Sequence, residues 1–124
     1  MSGYIDPTTR EFVDTKDITF LASAARTATT SSSWFDVGNA HTLRVLLACT
    51  ALSGTNETLD VSVTTRHDAN DSSPRTVGSF TQLLAAATVR KEFAGLSRQV
   101  RITATLGGTD TPSFTAAITG ELVG

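Results

Sequence analysis

Residues 43–63 read LRVLLACTALSGTNETLDVSV, and this stretch decides the fold class. Leu43, Val45, Leu47 and Cys49 share one face of an extended chain, and Leu59, Val61 and Val63 alternate with Asp60, Ser62 and Thr64. A period of two is the signature of a half-buried β-strand, because successive side chains point to opposite faces. Between the two runs lies Ser53-Gly54-Thr55-Asn56-Glu57, a cluster of turn-forming residues. Two apolar runs separated by a short turn segment predict an antiparallel hairpin.

The C-terminal third repeats the arrangement. Val100, Ile102, Ala104 and Leu106 alternate with Arg101, Thr103 and Thr105, and Phe114, Ala116, Ile118 and Leu122 are set against Thr115, Thr119 and Glu121. Gly107-Gly108-Thr109-Asp110-Thr111-Pro112 joins them and predicts a second hairpin. Weaker strand patterns cover Ile18 to Ala24, Trp34 to Val37, Val77 to Leu83 and Thr88 to Phe93. The whole predicts an all-β chain, an antiparallel β-sandwich or jelly roll of about eight short strands. Leu83 to Ala87 has helix propensity for a single turn at most. Each strand's apolar face calls for a covering sheet, and its Thr-rich face is suited to water or to another subunit.

A chain of 124 residues has room for one packed core. We divide it into an extended N-terminal arm, residues 1–16, and a single domain, residues 17–124. The arm, MSGYIDPTTREFVDTK, mixes charges with Tyr4, Ile5, Phe12 and Val13 and keeps no steady period. It reads either as a frayed terminus or as an extension gripping a neighbour through those four apolar residues. No basic segment followed by an apolar one marks a secretory signal, and no apolar run approaches the roughly 20 residues of a membrane span. Synthesis in the cytoplasm and no membrane partner are the expectations.

A net charge of −2 gives no large basic field, so nucleic acid is not an expected partner. The lone cysteine, Cys49, lies in the apolar run and reads as a small buried hydrophobe rather than a reactive thiol. His41 and His67 have no zinc spacing and no partner in a recognisable triad. The segment His67-Asp68-Ala69-Asn70-Asp71-Ser72-Ser73-Pro74 gathers oxygen ligands, but Ser73 and Ser79 occupy the positions that an EF-hand gives to glycine and glutamate. A looser Ca²⁺ site over Asp68–Ser72 and a plain Asx-rich turn both remain open. No phosphate-binding motif occurs, since Gly107-Gly108 leads into a strand and not a helix. The expectation is a chain without catalytic residues, cofactor or resident metal, and not an enzyme.

Two features point to binding. Trp34-Phe35 reads as an aromatic platform for sugar or protein, or as a pair with one ring in the core and the other at its rim. Arg90, Lys91, Arg98 and Arg101, near Glu92, read as a solvated strand face or as a charged contact with an acidic neighbouring subunit. Tyr4, Ile5, Phe12, Val13, Trp34, Arg90 and Lys91 are the candidate protein-interaction residues.

The segments Phe20-Leu-Ala-Ser-Ala-Ala-Arg-Thr-Ala-Thr-Thr30, Leu43 to Val63 with Ala51-Leu-Ser-Gly-Thr55, and Arg101 to Leu122 with Leu106-Gly-Gly-Thr109 and Ser113-Phe-Thr115 resemble small virion proteins of tailed bacteriophages. The likeness spans most of the chain beyond the arm. It implies a β-sandwich of the head or neck module, above all a capsid decoration (cement) protein on the outer capsid surface. Such proteins form trimers or dimers, bridge major capsid proteins and extend terminal arms between subunits. Head-completion or tail components and a carbohydrate-binding or adhesin module are the alternatives. One departure is Thr65-Arg-His-Asp-Ala-Asn70, which stands where similar proteins carry an aromatic-rich Gly-Lys-Asp-type segment.

Overall fold

The computed structural model describes residues 2–5, 12–38, 40 and 42–123. All regular structure among them is β: β1 Ser2–Ile5, β2 Phe12–Arg26, β3 Thr30–Ser31, β4 Phe35–Asp36, β5 Thr42–Arg66, β6 Arg75–Ser79, β7 Ala87–Ala94 and β8 Gln99–Val123. Every pairing is antiparallel. The sandwich is therefore present, but its strands are not uniformly short, because β5 and β8 each run for 25 residues.

Those two strands correct both predicted hairpins. Leu43 to Cys49 does not fold back on Leu59 to Val63. It pairs with Leu122 to Ala116, and Leu59 to Val63 pairs with Leu106 to Ile102. The two turn-rich segments lie opposite each other in one long ribbon, where register shifts fall between Cys49 and Ala51, Ser53 and Thr55, and Thr55 and Thr58. Bulges of this kind bend a strand and raise its twist without ending it. Gly54 (φ +133°), Asn56, Gly108 (φ +132°), Asp110 and Thr111 all take positive φ, which lets both strands turn together. At Gly54 a Cβ would come within 2.8 Å of Pro112 Cα on the partner strand, so glycine is also needed for the strands' approach.

Bending the ribbon makes two layers from one hydrogen-bonded sheet. The first half of β5 and the second half of β8 lie between β7 and β2, with β1 beyond β2. The second half of β5 and the first half of β8 lie between β6 and the short strands β3 and β4. The buried positions are odd-numbered along β5 and even-numbered along β8, on both sides of the bend. One face of the ribbon is thus apolar throughout, and folding it brings that face against itself. Leu43, Val45 and Leu47 join Val61, Val63, Ile102 and Ile118 in a single buried cluster. Phe114, 1% exposed, fills it beside the bend.

Aromatic pairs close both open sides. Phe20 of β2 meets Phe35 of β4 edge-on at 5.3 Å, and Phe80, just beyond β6, meets Phe93 of β7 at 5.6 Å. Edge-to-face contact places the positive rim of one ring on the negative face of the other. Gly120 gives the Phe20 ring its place, since a Cβ there would lie 2.7 Å from Phe20 Cε2 and 2.9 Å from Leu43 Cδ1.

The weaker strand patterns fall within β2, at β4, at β6 and at β7. Leu83 makes a two-residue bridge with Leu59, and Ala87 already belongs to β7, so Leu83 to Ala87 forms no helical turn. Pairing with β5 takes over its backbone groups. The boundary placed between residues 16 and 17 falls inside β2, which continues the main sheet outward to pair with β1.

Candidate functional site

The polar face of the second layer carries one concentrated cluster. Phe35 turns inward against Phe20, which fixes the backbone of β4 and leaves Trp34, its neighbour in sequence, half-buried on the outside. The guanidinium carbons of Arg66 and Arg101 lie 4.1 and 4.6 Å from the centre of the indole ring, within cation–π range. Both arginines are on the outward face because Thr65, Val100 and Ile102 beside them point inward and are fully buried. Arg66 Nε donates to Gln99 Oε1 at 2.7 Å, and Gln99 Nε2 donates to Asp36 Oδ1 at 3.0 Å. Arg101 Nε is buried with no hydrogen-bond partner. The surrounding face is hydroxyl-lined, with Ser31 and Thr103 joined at 2.9 Å.

Trp34 thus follows the reading of one ring inward and the other at the rim. Two guanidinium groups lie against its ring. Arg66, Gln99 and Asp36 were not singled out in the sequence. Period two places Arg66 and Arg101 on polar faces, but only the strand register shows that these faces coincide beside Trp34.

The structure separates the basic residues grouped by sequence. Arg101 belongs to the tryptophan cluster, whereas Arg90 and Lys91 are on β7 in the first layer. They line a shallow depression of about 530 Å³ together with Asp17, Arg44, Glu92 and Glu121. Arg44 Nε is 3.2 Å from Glu92 Oε2, an ion pair with both side chains well exposed. Lys91 Nζ donates to the Ser79 carbonyl at 2.7 Å, tying β7 to β6 across the sandwich edge. Salt-screened exposed pairs of this kind contribute little to stability. Tyr4 is paired with Val13 and Ile5 with Phe12 in the β1–β2 hairpin. The four apolar residues of the arm therefore occupy adjacent positions at the outer edge of the first layer.

The oxygen-rich loop uses its carboxylates locally. Asp71 accepts from the backbone N–H groups of His67 and Ser73, and Asp68 from that of Asn70. Those bonds from His67 and Ser73 hold the Asp71 carboxyl below the usual range. This geometry is the Asx-turn arrangement. Among the described residues no group of three or more His, Cys, Asp and Glu is placed to hold a metal ion. His67 Nε2 stands 4.0 Å from Asp68 Oδ2 in an exposed position, and His41 lies outside the described residues. Cys49 is buried and unpaired, and burial pushes its thiol above the usual range. No helix of the described residues is long and apolar enough to cross a membrane.

No protein-family model matches the chain, and no curated protein matches it. Among solved structures, the fold is similar to that of the SPBc2 prophage-derived protein YomS, with a TM-score of 0.56 and 19% sequence identity over 90% of this chain and 95% of that one. The all-β sandwich is therefore an arrangement this chain shares, across nearly its full length, with a protein encoded by a prophage.

Proposed function

We propose that this chain is a structural virion protein of a tailed phage, specifically a capsid decoration protein that binds the outside of the head and stabilises contacts between major capsid subunits. The observation that carries this reading is the likeness to a prophage-derived protein over 90% of the chain, together with the virion-protein resemblance of the strand and turn segments. The mechanism is additive contact area. Each copy ties neighbouring capsid subunits together through a rigid sandwich, and separating them means exposing the buried interface. The β1–β2 hairpin, with Tyr4, Ile5, Phe12 and Val13, supplies an edge that can reach a neighbour, and self-association as a trimer or dimer follows the usual symmetry of such assemblies. The proposal assigns the chain no catalytic chemistry and no cofactor, nucleic-acid or membrane partner.

Quantitative mass spectrometry of purified particles tests it. The expected result is on the order of one copy per major capsid subunit, as additive stabilisation of the whole shell requires. A handful of copies per particle moves the protein to the neck or tail, and complete absence from particles refutes the virion reading.

A further inference from the structure

We propose that Arg66 and Arg101, stacked on Trp34, form a receptor for a side-chain carboxylate of an acidic polypeptide segment. This site is independent of the virion reading, because it follows from the donors that the cluster leaves unspent.

The other arginines with described contacts use them on this chain. Arg44 pairs with Glu92, Arg26 donates to the carbonyls of Ala22, Ala24 and Ala116, and Arg75 donates to that of Gly95. Among the described residues Arg66 commits Nε alone and Arg101 donates no hydrogen bond; the Arg101 Nε is buried within the cluster, so the Nη groups of the two arginines are the donors left to meet a ligand. A carboxylate that accepts from those Nη groups gains charge-assisted hydrogen bonds. Among the described residues neither guanidinium has a carboxylate within salt-bridge distance. Asp36, the carboxylate bound into the cluster, accepts from the Gln99 amide. Asp71, in the loop after β5, also feels the Arg66 charge, so the two guanidiniums stand near two carboxylates, neither of which forms an ion pair with them.

The cluster is also pre-organised. Phe35, packed on Phe20, anchors the backbone next to Trp34, the indole holds both planar groups, and Gln99 accepts from Arg66. Little side-chain freedom is left to lose on binding. A planar fork with free Nη donors matches the two oxygens of a carboxylate, and the flanking aromatic shields the contact from water. The neighbouring Thr64, Thr103, Ser31 and Ser62 hydroxyls suit a peptide backbone. A nucleic acid needs a basic track that follows successive phosphates, and two arginines on an acidic chain do not provide one.

Trp34 is the sole tryptophan, so its fluorescence reports on this site. The experiment titrates the folded full-length protein, at low salt, with a short oligo-glutamate peptide, its oligo-glutamine counterpart and an oligothymidylate. The expected result is a saturable change in Trp34 emission with oligo-glutamate and none with oligo-glutamine. Arg66→Gln and Arg101→Gln should each weaken binding about tenfold or more, while Arg44→Gln on the other layer leaves it unchanged. Arg66→Lys and Arg101→Lys, which keep the charge without the fork, should fall between. They carry the test if circular dichroism shows a glutamine variant unfolded. No saturable response, an equal response to oligo-glutamine, tighter binding of oligothymidylate, or equal weakening by Arg44→Gln would each overturn the assignment.

Discussion

Replacing Thr65 by valine tests how the second layer is locked. Thr65 is fully buried at the end of the alternating run in β5, where pattern alone would place an aliphatic residue. Its hydroxyl donates to the Gln99 carbonyl at 2.7 Å and accepts from the Ser97 amide at 2.9 Å, fastening the chain between β7 and β8. Valine has the same shape and suits a strand equally well, so steric and propensity effects nearly cancel. What remains is the loss of both bonds. An orphaned buried polar group costs about 1–3 kcal/mol, and the added methyl burial returns about 0.8 kcal/mol. The two groups left behind are only partly buried, so the expected net loss is about 1–2 kcal/mol, or about 5–30-fold in the folded-to-unfolded ratio. Urea unfolding with an unchanged slope measures it. Thr65→Ser also loses stability, through the missing methyl, but retains the hydroxyl. Amide hydrogen exchange separates the two: Ser97 loses protection in the valine variant and keeps it in the serine variant. A valine variant as stable as the parent, or one with Ser97 protection unchanged, would refute the reasoning.

Gly120→Ala would press a methyl into the Phe20 ring and Leu43 and should destabilise by about 1–3 kcal/mol, typical of overpacking, as seen in urea unfolding. Cys49, buried with its thiol pKa raised, should resist a thiol-specific reagent at neutral pH in the folded protein and react once denaturant is added; rapid labelling of the native state would show the packing is wrong. Asp71 has its folded pKa lowered by two backbone N–H bonds, so its contribution to stability is present above the unfolded carboxyl pKa and is lost as pH falls through the folded value. NMR titration should find Asp71 titrating below an unstructured aspartate, and Asp71→Asn should flatten that acid limb of the stability profile.

What could be read from the chain and what could not divides along particular residues. Alternation at Leu43–Cys49, Leu59–Val63, Val100–Leu106 and Phe114–Leu122 determined an all-β sandwich and most of its core, because period two fixes which side chains share a face. For Trp34-Phe35 it left two readings, an aromatic platform or one ring inward and one at the rim, and the fold turns Phe35 inward with Trp34 outside. The partners of those strands were decided by tertiary structure alone. Gly54, Asn56, Gly108 and Asp110 are equally good residues for ending a hairpin and for bending a ribbon, and local propensity does not distinguish the two. The choice depends on the whole apolar face of β5 and β8 finding its complement in itself, a long-range gain in burial. For the same reason the sequence by itself grouped Arg90, Lys91, Arg98 and Arg101, which are near in number, while the fold set Arg101 beside Arg66 and Trp34. Antiparallel register brings residues from three separate segments onto one face, and only the pairing of strands carries that information.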